Sequence, residues 1–378
     1  MKVLIAPDKF KDSLTSFELC EIIADAIGQT DSNIILRQYP MADGGDGFAS
    51  VMHHYLETKG IMSFSCDPIG RSIQTSYQWN EENKTAIIEL ASASGYSLLK
   101  KQEQNPLYTS TYGTGLQIKN AIEQGALKII LGLGGSATND AGIGILAALG
   151  FRFIDEQENI LPPCGNSLNS IHKIILPPQL PDIEFEIACD VQNVLHGPDG
   201  AAFVYAPQKG ANADEVEKLD EGLRHFSDII YKETGKMVAD IPGTGAAGGI
   251  AAGIMSFFRT KLISGTEMII DHSGIRNELA DASLIVTGEG KIDEQTKKGK
   301  VVGRIAQFGF EYNIPVIAFC GMADINETGI EGLKAIITLA DDINSVDHSI
   351  KNAKELLQQK VKATLPLIIS GEYGSRFL

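Results

Sequence analysis

The chain has 378 residues, which is long for one hydrophobic core and predicts two domains. Its 43% hydrophobic and 21% charged residues are typical of a globular protein and exclude an intrinsically disordered one. The formal net charge of −16 argues against nucleic acid or anionic lipid as a partner, because both carry the same sign of charge.

The cysteines and the length of the apolar segments indicate the cellular location of the protein. The five cysteines are scattered and form no C-x-x-C pair, which predicts reduced and mostly buried thiols. The first residues lack the anatomy of a signal peptide, and no stretch approaches the ~20 apolar residues that cross a bilayer. We therefore expect a cytoplasmic protein without a membrane partner.

Strand and helix alternate in the first 62 residues. A strand at residues 3–6 precedes a helix that closes at Gly28, and Thr15 with Glu18 forms a capping-box signal at the start of this helix. A second strand is predicted at residues 33–39. The loop after it leads into a helix that ends near Gly60.

The pattern then changes, and after about residue 280 the simple alternation returns. In the middle region, strands are predicted at residues 63–67, 74–79, 85–90, 128–133 and 184–188, with helices from the Asn139–Asp140 cap to Gly150 and at 212–234. In the last region, strands are predicted at residues 284–287, 315–320 and 335–339, with helices at 299–313 and from about 350. This order predicts an α/β fold in which a parallel-sheet domain (residues 1–62 and 281–378) is interrupted by an inserted mixed α/β domain (residues 63–280).

A glycine-rich segment follows the predicted strand at residues 128–133. Gly134 and Gly135 allow close approach of the backbone, Ser136 and Thr138 add hydroxyl donors, and the next helix presents the positive end of its dipole near Asn139. In open α/β sheets, ligands bind beyond the carboxyl ends of the strands. The segment fits a phosphate-binding loop, although a tight turn with Ser, Thr and Asn caps has the same composition.

Two further glycine-rich segments carry carboxylates. Asp43 and Asp46 lie three residues apart in a loop that could hold Mg²⁺ or bind a polyol, or could form an Asp-Gly turn. Glu289, Lys291 and Asp293 follow the strand at residues 284–287, and a kinase needs such a cation near the phosphates and such oxygen ligands for Mg²⁺. A solvated loop is the alternative for this segment.

Isolated residues after other strands are also candidates. Asp190 ends the strand at residues 184–188, where a general base often sits, although a cap or turn residue is the simpler interpretation. Lys9 and Lys209 are among the few basic residues in these loops, and in an acidic chain they are candidates for binding phosphate or carboxylate. The small-residue segment 243–253 lacks a preceding strand, so close packing is preferred to a dinucleotide fingerprint. A loop that admits substrate is the second interpretation of this segment.

Seven segments of the chain together resemble the bacterial glycerate kinase type-1 family. They occur in the family's order, at residues 6–14, 42–47, 134–140, 188–191, 207–210, 245–249 and 287–293. Four positions depart from the pattern. Ala141 stands where a glycine usually follows Asn-Asp, Lys291 stands where arginine is common, and Lys9 and Asp12 replace residues that are more often small or polar. The resemblance implies a kinase that uses ATP and Mg²⁺ to phosphorylate D-glycerate to 2-phosphoglycerate, or to 3-phosphoglycerate. It also implies a Rossmann-like and an inserted α/β domain with the active site in the cleft between them.

On this basis each candidate residue receives an expected role. The loop of residues 134–140 would bind the ATP phosphates, with Lys9, Lys209 or Lys291 neutralising the transferred group. Glu289 and Asp293 would hold Mg²⁺, and Asp190 or Asp43 would accept the proton of the glycerate hydroxyl. A kinase for another hydroxy or sugar acid and a two-lobed solute-binding protein remain alternatives. We expect a monomer or a homodimer.

Overall fold

The computed structural model describes residues 1–325, 329–340 and 346–369, which pack into two compact units. The first unit consists of residues 1–43 and the described residues from 266 onward, and the second of residues 44–265. Both are built from helices and parallel strands, so the predicted α/β fold class is confirmed. The domain limits predicted from the sequence, at residues 62–63 and 280–281, stay a prediction.

The described residues contain thirteen strands, twelve α-helices and seven short 3₁₀ helices. The strands are β1 (Lys2–Pro7), β2 (Ile35–Gln38), β3 (Lys59–Cys66), β4 (Ser72–Asn80), β5 (Thr85–Glu89), β6 (Lys128–Gly132), β7 (Arg152–Ile154), β8 (Lys173–Ile175), β9 (Glu184–Ala188), β10 (Arg259–Ile263), β11 (Leu284–Ile292), β12 (Val316–Ala323) and β13 (Leu333–Thr338). The helices are α1 (Ser16–Gly28), α2 (Phe48–Leu56), α3 (Ala91–Ser94), α4 (Tyr112–Glu123), α5 (Ile143–Ala148), α6 (Ala201–Tyr205), α7 (Ala213–Thr234), α8 (Ile250–Phe257), α9 (Gly265–Ser273), α10 (Val301–Tyr312), α11 (Val346–Lys351) and α12 (Ala353–Ile369).

The first unit has a five-stranded parallel sheet in the order β13-β12-β11-β1-β2. Numbered within this unit alone, the strands lie in the order 2-1-3-4-5, a doubly wound arrangement whose direction changes between β1 and β11. Helices α1 and α12 pack together over one face, where Val3 and Ile5 join their apolar residues in a common core. The capping box predicted for Thr15 and Glu18 is confirmed at the start of α1.

Strand β11 is longer than the sequence predicted. Its expected end was Thr287, but pairing with β12 continues from Glu289 opposite Cys320 to Ile292 opposite Ala323. The interpretation of residues 288–291 as a loop is therefore wrong. The hydrogen bonds to a strand about 30 residues away in the chain keep these glycine-containing residues extended.

The second unit has a six-stranded sheet in the order β10-β9-β6-β5-β4-β3. Strands β5, β6, β9 and β10 are parallel, whereas β3 and β4 are antiparallel neighbours at one end, as the hairpin pattern predicted. Helix α2 ends at Leu56 rather than near Gly60, because Glu57 takes a left-handed conformation (φ 48°) and Gly60 lies in β3 opposite Gln78.

Two predictions from composition can be compared with the structure. All five cysteines are free thiols, and four of them are buried while Cys66 is half-buried, as expected. Within the described ranges, no helix combines the length and the apolar character needed to span a membrane.

Candidate functional sites

The loop of residues 134–140 lies at the carboxyl end of β6 in the second unit. Gly134 donates its N–H to the carbonyl of Gly44 at 3.3 Å, and a Cβ built on Gly134 would lie 2.2 Å from the Cα of Gly45. Gly135 takes a φ of 71°, which favours glycine. The glycines are therefore required by close packing between two loops of the same unit.

Asp140 anchors this loop from within. Its buried carboxylate accepts four hydrogen bonds, from the amide and hydroxyl of Thr111 at 2.8 Å each and from the amides of Gly142 at 3.1 Å and Gly144 at 3.3 Å. Burial raises the pKa of Asp140, and these donors oppose the increase. The predicted helix cap is thus partly correct. The N-cap position of α5 is occupied by Gly142, but Asp140 does accept hydrogen bonds from amides at the start of that helix.

Residues 243–253 pack directly against the same loop. The amide of Ala141 donates to the carbonyl of Gly248 at 2.9 Å. A Cβ on Gly248 would lie 2.2 Å from the carbonyl oxygen of Thr138, and one on Gly253 would lie 2.0 Å from that of Ala141. The close-packing prediction for this segment is confirmed. Ala141 itself has a φ of 51°, a left-handed conformation that suits the glycine usual at this position in the family it resembles.

Lys209 binds the loop through its ammonium group. It follows α6 in a short 3₁₀ turn, and its Nζ donates to the carbonyl of Thr138 at 2.7 Å and to the hydroxyl of Ser136 at 3.3 Å. The residue is only 4% exposed, and burial lowers its pKa to about 7, opposed by the charge of Asp140. An ammonium group has three N–H donors, so within the described part of the chain one donor remains for a ligand oxygen.

Asn139 offers two more polar atoms at this loop. The residue is fully buried, and neither its side-chain oxygen nor its nitrogen has a hydrogen-bond partner among the described residues. The hydroxyls of Ser136 and Thr138, in contrast, bond to each other at 3.1 Å. Because unpaired buried amides are costly, Asn139 fits a site that a polar ligand or water completes.

Asp190 lies at the same sheet edge as the loop. Strands β6 and β9 are parallel neighbours in which Gly132 pairs with Ala188, so Asp190 follows β9 near the point where β6 ends. Its Oδ1 accepts a hydrogen bond from the hydroxyl of Ser264, which follows β10. Ser264 was not among the residues predicted from the sequence. Its position directly after a third parallel strand would have indicated a site residue, but the short strand β10 was not predicted.

The first unit brings a second set of candidates together near its switch point. Lys9, after β1, places its Nζ 3.9 Å from an oxygen of Asp8 and 3.7 Å from one of Asp43. Lys300, at the start of α10, lies 3.9 Å from the other oxygen of Asp43. Asp43 therefore lies between two ammonium groups, and the structure brings the predicted residues Lys9 and Asp43 together.

Two buried carboxyl groups share this electrostatic environment. Burial, followed by the charge of Asp43, raises the pKa of Asp8 to about 7, and Lys9 and Lys300 oppose the increase. Burial raises the pKa of Glu289 to about 8, with Asp8 and Asp43 adding to it and a hydrogen bond from Thr296 opposing it. Asp8 is not among the residues to which the sequence assigned a role. Its burial depends on the packing of the sheet.

The donors present fit Mg²⁺ only in part. Among the described residues, no group of three or more His, Cys, Asp or Glu side chains is arranged to hold a metal ion. Mg²⁺ is, however, commonly held by one or two carboxylates together with substrate phosphates and water. Glu289 and Asp8, buried with raised pKa values, are carboxyl groups that a divalent cation would favour in the charged form.

The structure gives the other two predicted residues of this segment, Lys291 and Asp293, contacts outside the group formed by Lys9, Asp43 and Lys300. Asp293 is half-buried and accepts the amide of Gln295 at 2.8 Å, while its own amide donates to the hydroxyl of Thr296. Lys291 is exposed and pairs with Asp324 at 2.7 Å. The structure therefore links Asp293 to Glu289 through Thr296, and it does not bring Lys291 to Lys9 and Asp43.

Comparison with known proteins identifies the family. A sequence model described as the glycerate kinase family matches residues 3–368. Glycerate kinase of Halalkalibacterium halodurans is 38% identical over 365 residues, covering 95% of this chain and 96% of that protein. Glycerate 2-kinase of Escherichia coli K12 is 35% identical over 375 residues, covering 97% and 98%. A crystal structure of a candidate glycerate kinase 2 from Salmonella typhimurium LT2 superposes with a TM-score of 0.83 at 34% identity, covering 98% of this chain and 99% of that one.

These matches extend over nearly the whole chain, as did the seven segments that carried the resemblance. Both the family and the enzyme class predicted from those segments are confirmed. The chain belongs to the glycerate kinase family and is a phosphotransferase.

Proposed function

We propose that this enzyme transfers the terminal phosphoryl group of ATP to the 2-hydroxyl of D-glycerate, giving 2-phosphoglycerate. The proposal rests on the buried ammonium of Lys209, which donates to the glycine-rich loop of residues 134–140 in a member of the glycerate kinase family. The choice of the 2-hydroxyl is supported by the relative named glycerate 2-kinase. A 3-phosphoglycerate product is the alternative that the test below separates.

In the second unit, the loop of residues 134–140 binds phosphate oxygens. Lys209 supplies a third N–H, and Asn139 supplies an amide donor and an acceptor that the protein leaves unused. A buried cation stabilises the charge that develops on a transferred phosphoryl group more strongly than an exposed one, because the local dielectric is low. Lys209 is therefore the group that we assign to that task.

Asp190 is the proposed general base. Its carboxylate is fixed by the Ser264 hydroxyl at the carboxyl edge of the parallel strands, where ligands of such sheets bind. A fixed carboxylate orients the glycerate hydroxyl and takes its proton as the phosphoryl group is transferred. Asp43, flanked by Lys9 and Lys300, is the second candidate for this role.

In the first unit, Glu289 is the proposed ligand of Mg²⁺, with Asp8 or Asp293 as its companion. A Mg²⁺ ion bound there would supply positive charge of the kind that phosphoryl transfer requires. Lys9 and Lys300 keep Asp43 in place beside these groups. A cytoplasmic location is part of the proposal, and the five free thiols support it.

The activity is tested by measuring ADP release from Mg·ATP with a panel of small acids. The panel contains D-glycerate, L-glycerate, hydroxypyruvate and tartronate, and phosphorus NMR of the product distinguishes the 2-phosphate from the 3-phosphate. D-glycerate should be the preferred acceptor and 2-phosphoglycerate the product. Preference for another acid would replace the proposed substrate while leaving the kinase chemistry intact, and binding of an acid without any ADP release would favour a solute-binding protein.

Glu289→Gln should raise the Mg²⁺ concentration needed for half-maximal activity by about ten-fold or more. Glutamine keeps the size of the buried side chain and its bond with Thr296, but loses the charge that a cation requires. The measurement is a Mg²⁺ titration of activity at saturating ATP. Asp293→Asn is measured beside it, because Asp293 is a proposed companion ligand. An increase in both variants would place both carboxylates at the metal, and an increase in Asp293→Asn alone would remove Glu289 from the site.

A further inference from the structure

Strand β3 forms an unusual end of the six-stranded sheet. In the described sheet it pairs only with β4, so one of its two edges faces away from the sheet with unpaired backbone groups. The side chains of Ser63 and Ser65 point to the buried face, where Ser65 bonds to a carbonyl of α4. On the opposite face, Met62 is 60% exposed and Phe64 is 86% exposed.

The other sheet ends carry charged residues within the strand, whereas the one charged residue of β3, Lys59, stands at its first position and pairs with Glu81. Strands β2, β10 and β13, which end the two large sheets elsewhere, each carry exposed basic residues within the strand, namely Arg37, Arg259, Lys261 and Lys334. Charged side chains on an end strand prevent pairing with another chain. In β3 the seven residues from Gly60 to Cys66 carry no charge.

Charge also indicates which partner this edge accepts. Two copies of a chain with a net charge of −16 repel each other, so a contact between them must use a neutral surface. The segment of residues 60–80 contains one acid and one base, Asp67 and Arg71, which pair with each other. The hairpin is thus a neutral region on an acidic protein.

The sequence of β3 is complementary to itself in antiparallel pairing. If Ser63 lies opposite Ser63 of a second copy, Met62 lies opposite Phe64 on the exposed face. Residues directly opposite in an antiparallel pair lie on the same face, so this register keeps the apolar side chains together. It also places a methionine sulfur beside an aromatic ring in each of the two Met62–Phe64 pairs.

We propose that β3 is a dimerisation strand, through which a second copy of this chain extends the six-stranded sheet across a two-fold axis. The two neutral hairpins pair antiparallel with Ser63 at the centre. Met62 and Phe64 of each copy cover one another, and the bulk of the acidic surface stays away from the contact.

Sedimentation velocity at micromolar concentration tests the dimer. The mass obtained for the native protein should be twice that of the 40.7 kDa chain. The mass obtained for Phe64→Lys should be that of a single chain, because the substitution places two lysines at the centre of the interface. Met237→Lys is the matched control, since Met237 is 76% exposed outside the strand, and it should remain dimeric. A monomeric native protein, or a dimeric Phe64→Lys variant, would overturn the proposal.

Disulfide formation tests the register independently of the lysine variant. A mixture of Met62→Cys and Phe64→Cys proteins should cross-link under oxidation more than either protein alone, because these positions face each other only between copies. Non-reducing electrophoresis gives the readout, with each single variant reporting the background from native cysteines such as Cys66. Efficient cross-linking of Met62→Cys with itself would contradict the proposed register, and no cross-link above background would contradict the edge contact.

Discussion

Lys209→Met should lower kcat/KM by about 100- to 1000-fold while the fold persists, the loss expected when one preorganised charge donor is removed from a transition state. Methionine has nearly the same length and fills the buried space that the lysine stem occupies. It cannot donate to Thr138 or Ser136, nor can it neutralise a phosphoryl group. Steady-state kinetics with D-glycerate and ATP, together with circular dichroism, give the measurement.

The kinetic pattern separates charge stabilisation from loop support. If Lys209 acts on the transferred group, kcat falls with KM for ATP little changed, because the interaction strengthens in the transition state. Lys209→Arg should recover little activity, since a planar guanidinium does not fit a site built for an ammonium with two short contacts. Retention of wild-type kcat in Lys209→Met would exclude the assigned role.

The pH dependence of nucleotide binding provides a second readout for Lys209. Burial lowers the pKa of its ammonium to about 7 from an ordinary value of 10.5, so at pH 8 the group is mostly neutral in the folded protein. Between pH 7 and pH 10.5, Lys209 is protonated in the unfolded chain but mostly neutral in the folded protein. Over that range its titration makes the free energy of unfolding rise with pH. A phosphate anion favours the charged form, so binding at pH 8 should take up a proton and should weaken as the pH rises further.

Calorimetry of Mg·ATP binding at pH 8 in two buffers of different ionisation enthalpy measures that proton. Mg·ATP would also release protons from carboxyl groups with raised pKa values, such as Glu289, so the difference between the two proteins is the readout. The native enzyme should take up more protons than Lys209→Met, and equal proton exchange in the two proteins would contradict the placement of Lys209 beside the nucleotide.

Asp190→Asn should reduce turnover by about 100-fold or more, the usual contribution of a positioned general base. Asparagine keeps the size of the side chain and its bond with the Ser264 hydroxyl, so the fold should persist. Rapid-quench or coupled assays of ADP release give the rate. Activity within a few-fold of the native enzyme would remove Asp190 from this role and direct attention to Asp43.

Ser264→Ala is the matched control for that experiment. It removes the hydrogen bond that fixes Asp190 but leaves the carboxylate, so the loss should be roughly ten-fold and confined to kcat. A positioning residue should also leave the pH profile of the reaction in place, because the base itself is unchanged. Equal losses in the two variants would indicate that orientation, rather than proton transfer, is what Asp190 provides.

Local patterns predicted most of the regular structure. The capping box of α1, the strand β9 and the helix α7 appear at or within one residue of their expected limits, because caps and periodicity act over a few residues. The error in β11 has the opposite cause. Its extension depends on pairing with β12, which no local signal reports.

The features of the candidate sites also divide into those that a local pattern predicts and those that depend on distant parts of the chain. The glycine-rich loop could be found because glycine and hydroxyl residues after a strand form a local pattern. The burial of Lys209, Asp8 and Glu289 could not, because it depends on segments that are distant in the chain. The pairing of Lys291 with Asp324 is a contact of the same kind, and it places that lysine outside the predicted role.

The order of strands also determines when each part of the protein can form during synthesis. The six-stranded unit is one continuous stretch, so it can fold once residue 265 has left the ribosome. Strand β1 lies between β2 and β11, and its second neighbour is synthesised some 280 residues later. Strand β1 therefore cannot complete its pairing in the sheet until β11 has been synthesised. Premature termination would leave an apolar strand without its partner, and a nascent chain that binds chaperones until its end is the expected consequence.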